Sequence, residues 1–283
     1  KGLIEMFDST IGRSTVLMPY GGELQLTETQ VSVQKLPTDG YTDTASIMAF
    51  GFNPVISKWS PYHGAAYSMV EACAKVVAAG GHYEKMRFSC QEYFERMTHD
   101  PKVWGKPMSA LLGSLKMQIE LGLPSIGGKD SMSGTFEHIN VPPTLISFGI
   151  TTVDANKVIS PELKWEGNQL YLIKHTPRAD RMPDVDQLKK NWAYVTEQIE
   201  AGNIVSAWAV GFGGVAEALC KMSFGNAFGV DVKISENELF DYSYGSIVVE
   251  SEGSLDFENA EYLGLVTSGV DDCLRINAKN IPM

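Results

Sequence analysis

Pro124-Ser-Ile-Gly-Gly-Lys-Asp-Ser-Met-Ser-Gly134 places three glycines, one cation, one anion and three hydroxyls in eleven residues. Few core segments need that set. Glycines let a backbone approach a ligand closely, and Lys129 can meet a phosphate. Ser131 and Ser133 can bind oxygens, and Asp130 can hold a divalent cation. The segment is not a P-loop, which needs G-x-x-x-x-G-K-[ST] between a strand and a helix. Counted from Gly122 the spacing is one residue too long, and Asp130 stands where Ser or Thr belongs. A carboxylate beside a phosphate repels it unless a metal lies between them. The stretch is therefore either a phosphate-handling loop of another kind or a Gly-rich surface turn.

Around this stretch the chain has 283 residues, enough for two domains. An apolar content of 44% supports full-sized cores. No apolar run is long enough to span a bilayer, and Lys1-Gly-Leu-Ile-Glu5 has no secretory hydrophobic region. The lack of an initiator methionine suggests a piece of something longer. Cys73, Cys90, Cys220 and Cys273 show no C-x-x-C spacing. Cys73 and Cys220 fall in apolar helical patterns and read as buried thiols, which favours a reducing, cytoplasmic setting over a zinc site or disulfide framework. The five dispersed histidines, including His63, His99 and His138, read as structural or solvated. A net charge of −11 argues against nucleic acid as a partner. Small anions need only local positive charge or a helix N-terminus.

The pattern predicts strands over 13–18 and 45–52. A helix follows over 61–79, capped by Ser60 with Pro61 at its first position and stopped at Gly80-Gly81. A second helix is expected over 108–121 and a buried strand over 143–153. A polar connector follows, and the domain boundary is placed near 157–167. The domains are thus 1–157 and 165–283. The second is expected to hold strands at 169–174, 245–250 and 263–267, with helices at about 184–201 and 213–222. Strands and helices mix in both halves, so the fold class is α/β or α+β.

Three further groups of residues merit weighing. Glu71 and Lys75 are four apart on the helix that begins at Pro61, in the favourable order of acid before base. They form either a solvated surface pair or a carboxylate and ammonium facing a polar cleft. Asp39 and Asp43 lead the strand at Ala45, as metal ligands or as plain turn chemistry. Val210-Gly-Phe-Gly-Gly-Val-Ala216 imitates a dinucleotide fingerprint, with Asp231 twenty residues past its first glycine. Its βαβ context is poor, and a tight turn into a packed helix reads better.

Several segments together carry a family resemblance. Phe7-Asp-Ser-Thr-Ile-Gly12, Tyr41-Thr-Asp-Thr-Ala-Ser46, Trp59-Ser-Pro-Tyr-His-Gly64, Phe88-Ser-Cys-Gln-Glu-Tyr-Phe-Glu95, Gly127-Gly-Lys-Asp-Ser-Met-Ser-Gly134 and Val210-Gly-Phe-Gly-Gly-Val-Ala-Glu-Ala218 occur in the family's order across nearly the whole chain. They resemble the second half of the synthetase region of the phosphoribosylformylglycinamidine synthases, glutamine amidotransferases of purine biosynthesis. The resemblance implies a two-domain fold of the aminoimidazole-ribonucleotide-synthetase type. In it an N-terminal sheet forms half of a barrel and a C-terminal α/β layer lies behind. It implies an ATP- and Mg²⁺-dependent C–N ligase that turns formylglycinamide ribonucleotide into the amidine with glutamine-derived ammonia.

The resemblance also assigns roles. Nucleotide falls on Gly127 and Gly128, phosphate or substrate on Lys129, and substrate on Asp130 and Ser131. Position 129 is a metal-binding Asn in small members, so the Lys here departs from them. Ser89 matches an ATP-contacting Asp of small members. An auxiliary magnesium–nucleotide site of large members aligns with Asp39, Glu71, Lys75 and Ala209, where two carboxylates remain and two ligands are replaced. Lys75 is expected to occupy a magnesium position and neutralise Asp39 and Glu71, with the auxiliary ADP/Mg²⁺ absent or weak.

The glutaminase domain and the first synthetase half are missing, so the isolated chain is expected to be inactive and to self-pair as a homodimer. Two other readings stand beside this one. One is a structural pseudo-repeat that scaffolds the other half around a degenerate nucleotide site. The other is a free-standing kinase-like enzyme of the wider superfamily.

Overall fold

The computed structural model describes residues 10, 12–268 and 273–282. The motif Phe7-Asp-Ser-Thr-Ile-Gly12 lies almost wholly outside them. The first half contains β1 (Ser32–Lys35), β2 (Thr44–Gly51), α1 (Pro54–Trp59), α2 (Pro61–Ala78), β3 (Arg87–Tyr93), α3 (Pro101–Leu121), β4 (Ser125–Lys129) and β5 (Thr144–Asp154). Its sheet runs β1-β2-β5-β3-β4. Every neighbouring pair is antiparallel except β3 and β4. That parallel pair is joined through α3, so the stretch that opened the sequence reading ends a β–α–β crossover at the sheet's edge.

The residues explain these elements. In β2, Ala45, Ile47 and Ala49 are buried while Met48 and Phe50 face out, the period-two alternation of a sheet covered on one side. Helix α2 is rich in Ala and Val and is buried all round, because it lies between the two sheets of the molecule. Ser60 caps it by accepting from the His63 N–H, and Pro61 opens it. Gly113 of α3 has no side chain because a Cβ there would lie 2.0 Å from the Tyr62 carbonyl.

The second half contains β6 (Gln169–Ile173), α4 (Val185–Glu200), β7 (Ile204–Ala209), α5 (Gly214–Phe224), β8 (Gly229–Val232), α6 (Glu236–Phe240), β9 (Ile247–Ser251), β10 (Ala260–Thr267), β11 (Cys273–Ile276) and β12 (Lys279–Pro282). Its sheet runs β7-β9-β6-β10-β8-β11-β12. One core cluster joins Ile47 and Met69 of the first half to Ile173, Trp192 and Ile247 of the second, with α2 at its centre.

Two predicted elements need correction. Residues 13–18 form no strand. Thr15 bridges Gln34, with Lys35 N–H donating to the Ser14 carbonyl and Val16 N–H to the Val33 carbonyl, and the chain then bends at Val16 and Leu17 instead of pairing further along the β1 edge. Helix α3 begins at Pro101, not near 108. Asp100 caps it by accepting from Lys102 N–H at 2.9 Å. Pro107 lies inside the helix and forfeits one backbone bond without ending it.

Candidate functional site

Strand β4 and the loop after it form one wall of an open cleft of about 390 Å³. Gly127, Gly128, Lys129 and Asp130 line it on one side, Cys90 and Glu92 of β3 on another, and Ser114 and Gln118 of α3 on the third. The loop is held by backbone pairing beyond the strand ends. Ser131 N–H donates to the Glu92 carbonyl at 3.1 Å, and Phe94 N–H donates to the Ser131 carbonyl at 2.9 Å. Gln118 fixes the entry to β4 by accepting from Ser125 N–H at 2.8 Å. Gly128 is required by packing, because a Cβ would lie 2.7 Å from the Cys90 carbonyl. A Cβ on Gly127 would meet nothing, so that backbone faces open space.

Lys129 and Asp130 are exposed and enter no ion pair among the described residues. Ser131 and Ser133 hydroxyls lie 3.4 Å apart. The segment therefore offers a free ammonium, a free carboxylate, two hydroxyls and an open glycine backbone at one edge, where phosphate or substrate oxygens have donors to meet.

The sequence reading missed Glu92. It is only 7% exposed, and its Oε1 has no hydrogen-bond partner. Burial first, and the charge of Asp130 second, push its carboxyl above the usual range. The alternation in Arg87-Phe-Ser-Cys-Gln-Glu-Tyr93 carries the signal, since it puts Glu92 on the inward face with Phe88.

Glu71 and Lys75 are neither a solvated pair nor open to a cleft. Lys75 Nζ lies 2.8 Å from Glu71 Oε1, with side chains 12% and 10% exposed. Lys75 also donates to the Phe50 carbonyl at 2.9 Å and sits 4.7 Å from the centre of the Phe50 ring. Glu71 Oε2 accepts from Phe52 N–H at 2.8 Å. Both carboxylate oxygens are thus committed. The space beside Lys75, shared with Gln30 and Ala207, is about 10 Å³, at the threshold for a single water.

Asp39 is exposed in a turn and is not among Lys75's ion-pair partners, so Lys75 neutralises Glu71 alone. Asp43 instead accepts from Tyr41 and Lys35, which hold its carboxyl below the ordinary range. Ala209 is clamped at the end of β7, its N–H donating to Gln30 Oε1 at 2.8 Å and its carbonyl accepting from Gln30 Nε2 at 3.0 Å. The described residues hold no group of three or more His, Cys, Asp or Glu suited to a metal. Val210–Ala216 is a turn leading into α5, as expected.

No family model matches the chain. The PurL subunit of phosphoribosylformylglycinamidine synthase from Pyrobaculum aerophilum is 25% identical over 250 residues, covering 83% of this chain and 34% of that protein. The PurL subunit from Lactobacillus delbrueckii subsp. bulgaricus is 24% identical over 308 residues, covering 99% and 39%. The PurLQS structure from Thermotoga maritima superposes with a TM-score of 0.68 at 17% identity, over 94% of this chain and 40% of that one. The chain has the aminoimidazole-ribonucleotide-synthetase-like fold.

The curated relatives are PurL subunits, as the sequence resemblance implied. The fold extends to the thiamine monophosphate kinase of Aquifex aeolicus, with a TM-score of 0.59 at 11% identity, over 88% of this chain and 94% of that one. The chain spans about a third of the length of the curated relatives it matches. No helix among the described residues is long and apolar enough to cross a membrane.

Proposed function

We propose that this chain is part of a phosphoribosylformylglycinamidine synthase and supplies one wall of its synthetase site. The observation that carries the reading is the exposed Gly127–Ser131 edge, with Lys129 unpaired above an open cleft. The solved PurL neighbours include complexes with ATP, ADP and FGAR, which fits a site for nucleotides and a ribonucleotide substrate.

The reaction proposed for the whole enzyme consumes formylglycinamide ribonucleotide, ATP and glutamine. It yields the amidine, ADP, phosphate and glutamate. Phosphorylation of the amide oxygen creates a leaving group, which ammonia displaces. Here Lys129 places an ammonium against phosphoryl oxygens, and the Gly127 and Gly128 backbone lets them approach. Ser131 donates a hydroxyl to substrate oxygens. Asp130 binds a substrate hydroxyl or amide donor.

Magnesium does not fit at Glu71, since Lys75 and the Phe52 N–H occupy both of its oxygens. In this reading Lys75 replaces a cation there, and no step is routed through that pair.

The other surface of the first sheet supports a partner. Met48 lies opposite Ile150 and Phe50 opposite Phe148, and Phe50 is 53% exposed. Under this reading the face meets the remaining synthetase half, or a second copy when the chain is alone. The same face favours the scaffold alternative, so activity must separate the two. Lys129→Ala and Ser131→Ala in the complete synthetase should each lower kcat/KM, Lys129→Ala by roughly 100-fold. Unchanged turnover in both would favour the scaffold.

A further inference from the structure

We infer that the outward face of α3 is a self-pairing surface, on which a second copy of this chain lays its own α3 antiparallel. Past Lys102, every exposed residue of α3 is apolar or glycine. Trp104, Met108, Leu111, Leu112, Leu115 and Ile119 form one stripe, from 45% exposed at Leu112 to 69% at Ile119. The steps from Trp104 through Met108 and Leu111 to Leu115 are four, three and four residues, the seam of a helix that meets another helix. Helix α4 shows the contrast, since Asp186, Lys190, Glu197 and Glu200 stand on its exposed side. The inner face of α3 is already committed to α2 and the core, with Gly113 against Tyr62 and Met117 buried. Monomeric proteins rarely expose a contiguous apolar patch of more than a few hundred Å². These six side chains leave roughly 700 Å² per copy, close to the roughly 800 Å² that each partner of a standard interface buries.

The stripe itself names the occupant. Reversed end for end about Leu111 and Leu112, it maps onto itself: Trp104 falls opposite Ile119, Met108 opposite Leu115, and Leu111 opposite Leu112. That is the self-complementarity a two-fold interface requires. The same arrangement sets Lys102 nearly level with Glu120 of the second copy and opposes the two helix dipoles favourably. A parallel pair would instead place Lys102 beside its own equivalent. The other charges near the stripe are already paired, Lys106 with Glu95 and Lys116 with Glu120. This surface is separate from the sheet face of Met48 and Phe50. Met117 of α3 shares a core with Ile47, whose side chain points to the opposite side of β2 from Phe50, so the two surfaces lie on opposite sides of the first sheet. Leu111 also lines the cleft, so a paired helix borders it. One helix pair covers only part of the stripe, which sets the association at a Kd on the order of 10⁻⁵ M. Below that concentration the sheet face alone decides the mass. The pairing does not depend on the ribonucleotide reading.

Sedimentation equilibrium of the full chain carrying Phe50→Asp, which closes the sheet face to pairing, isolates the contact. From about 1 to 200 μM the mass should rise from monomer to dimer, with its midpoint on the order of 10 μM. Leu112→Asp in that background sets two carboxylates beside the two-fold axis and should weaken the association at least tenfold. Trp165→Ser removes an exposed aromatic side chain that lies off α3 and should change nothing. Should Phe50→Asp fold poorly, Leu112→Asp alone serves, by abolishing growth past the dimer that the unmodified chain shows at high concentration. Oxidation tests the register: Leu112→Cys, next to the axis, should link to its equivalent, whereas Met108→Cys lies beyond disulfide reach of its own equivalent and should not. A Phe50→Asp chain that stays monomeric to about 200 μM overturns the inference and leaves the stripe to a segment outside this chain. Association undiminished by Leu112→Asp overturns it too, and equal linking through Met108→Cys and Leu112→Cys overturns the antiparallel register.

Discussion

Removing Lys75 tests the buried ion pair it forms with Glu71. Lys75→Met preserves most of the side chain's length and apolar stem while deleting its charge. Glu71 Oε1 then loses its counter-ion 2.8 Å away, and the Phe50 carbonyl loses its donor at 2.9 Å. Both side chains of the pair are nearly excluded from water, so solvent cannot replace the ammonium cheaply. Stranding one partner of a buried pair costs about 3–5 kcal/mol. With an unfolding entropy of about 2.1 cal/mol/K per residue, a chain of 283 residues loses roughly 5–8 °C in Tm. The double variant Glu71→Gln/Lys75→Met removes the charge along with its partner and should recover to within about 1 kcal/mol of wild type. Urea denaturation of the four members of this cycle gives the coupling. A Lys75→Met variant within about 1 kcal/mol of wild type would refute the reasoning, as would a double variant no more stable than the single.

Other outcomes follow from the cleft and the sheet. Glu92 keeps its proton to higher pH in the folded chain than its ordinary value of 4.5 allows. The native state therefore binds more protons than the unfolded state above that pH, and this group's contribution to stability falls as pH rises through the raised value. Glu92→Gln should be the more stable protein at neutral pH by about 1 kcal/mol, a margin that shrinks toward pH 4 in urea titrations. Phe50→Asp puts a charge in the exposed apolar sheet face. It should lower the solution mass of the isolated chain from dimer to monomer by light scattering; an unchanged mass would remove that face as the pairing surface.

Much of the fold was legible because its signals are local. The Ser60-Pro61 start of α2 and the buried run of β5 needed only capping rules and hydrophobic pattern. Edge elements were not. Strand β4 is mostly exposed and glycine-rich, so its strand character comes from pairing with β3 rather than from its own residues. The loop residues Gly127 to Ser131 were found by composition. Glu92 was missed because a lone Glu in a strand carries no motif, and its burial and unpartnered Oε1 arise only from packing. The pair Glu71 and Lys75 was visible by spacing, whereas its burial depends on packing under β2 and was not.

The most direct test is a crystal structure of the protein with ADP and Mg²⁺. Phosphate density against Gly127–Lys129, with Lys75 still bound to Glu71, is the predicted result. A magnesium cluster at Glu71, with Lys75 displaced and the Gly127–Ser131 edge bare, would contradict it.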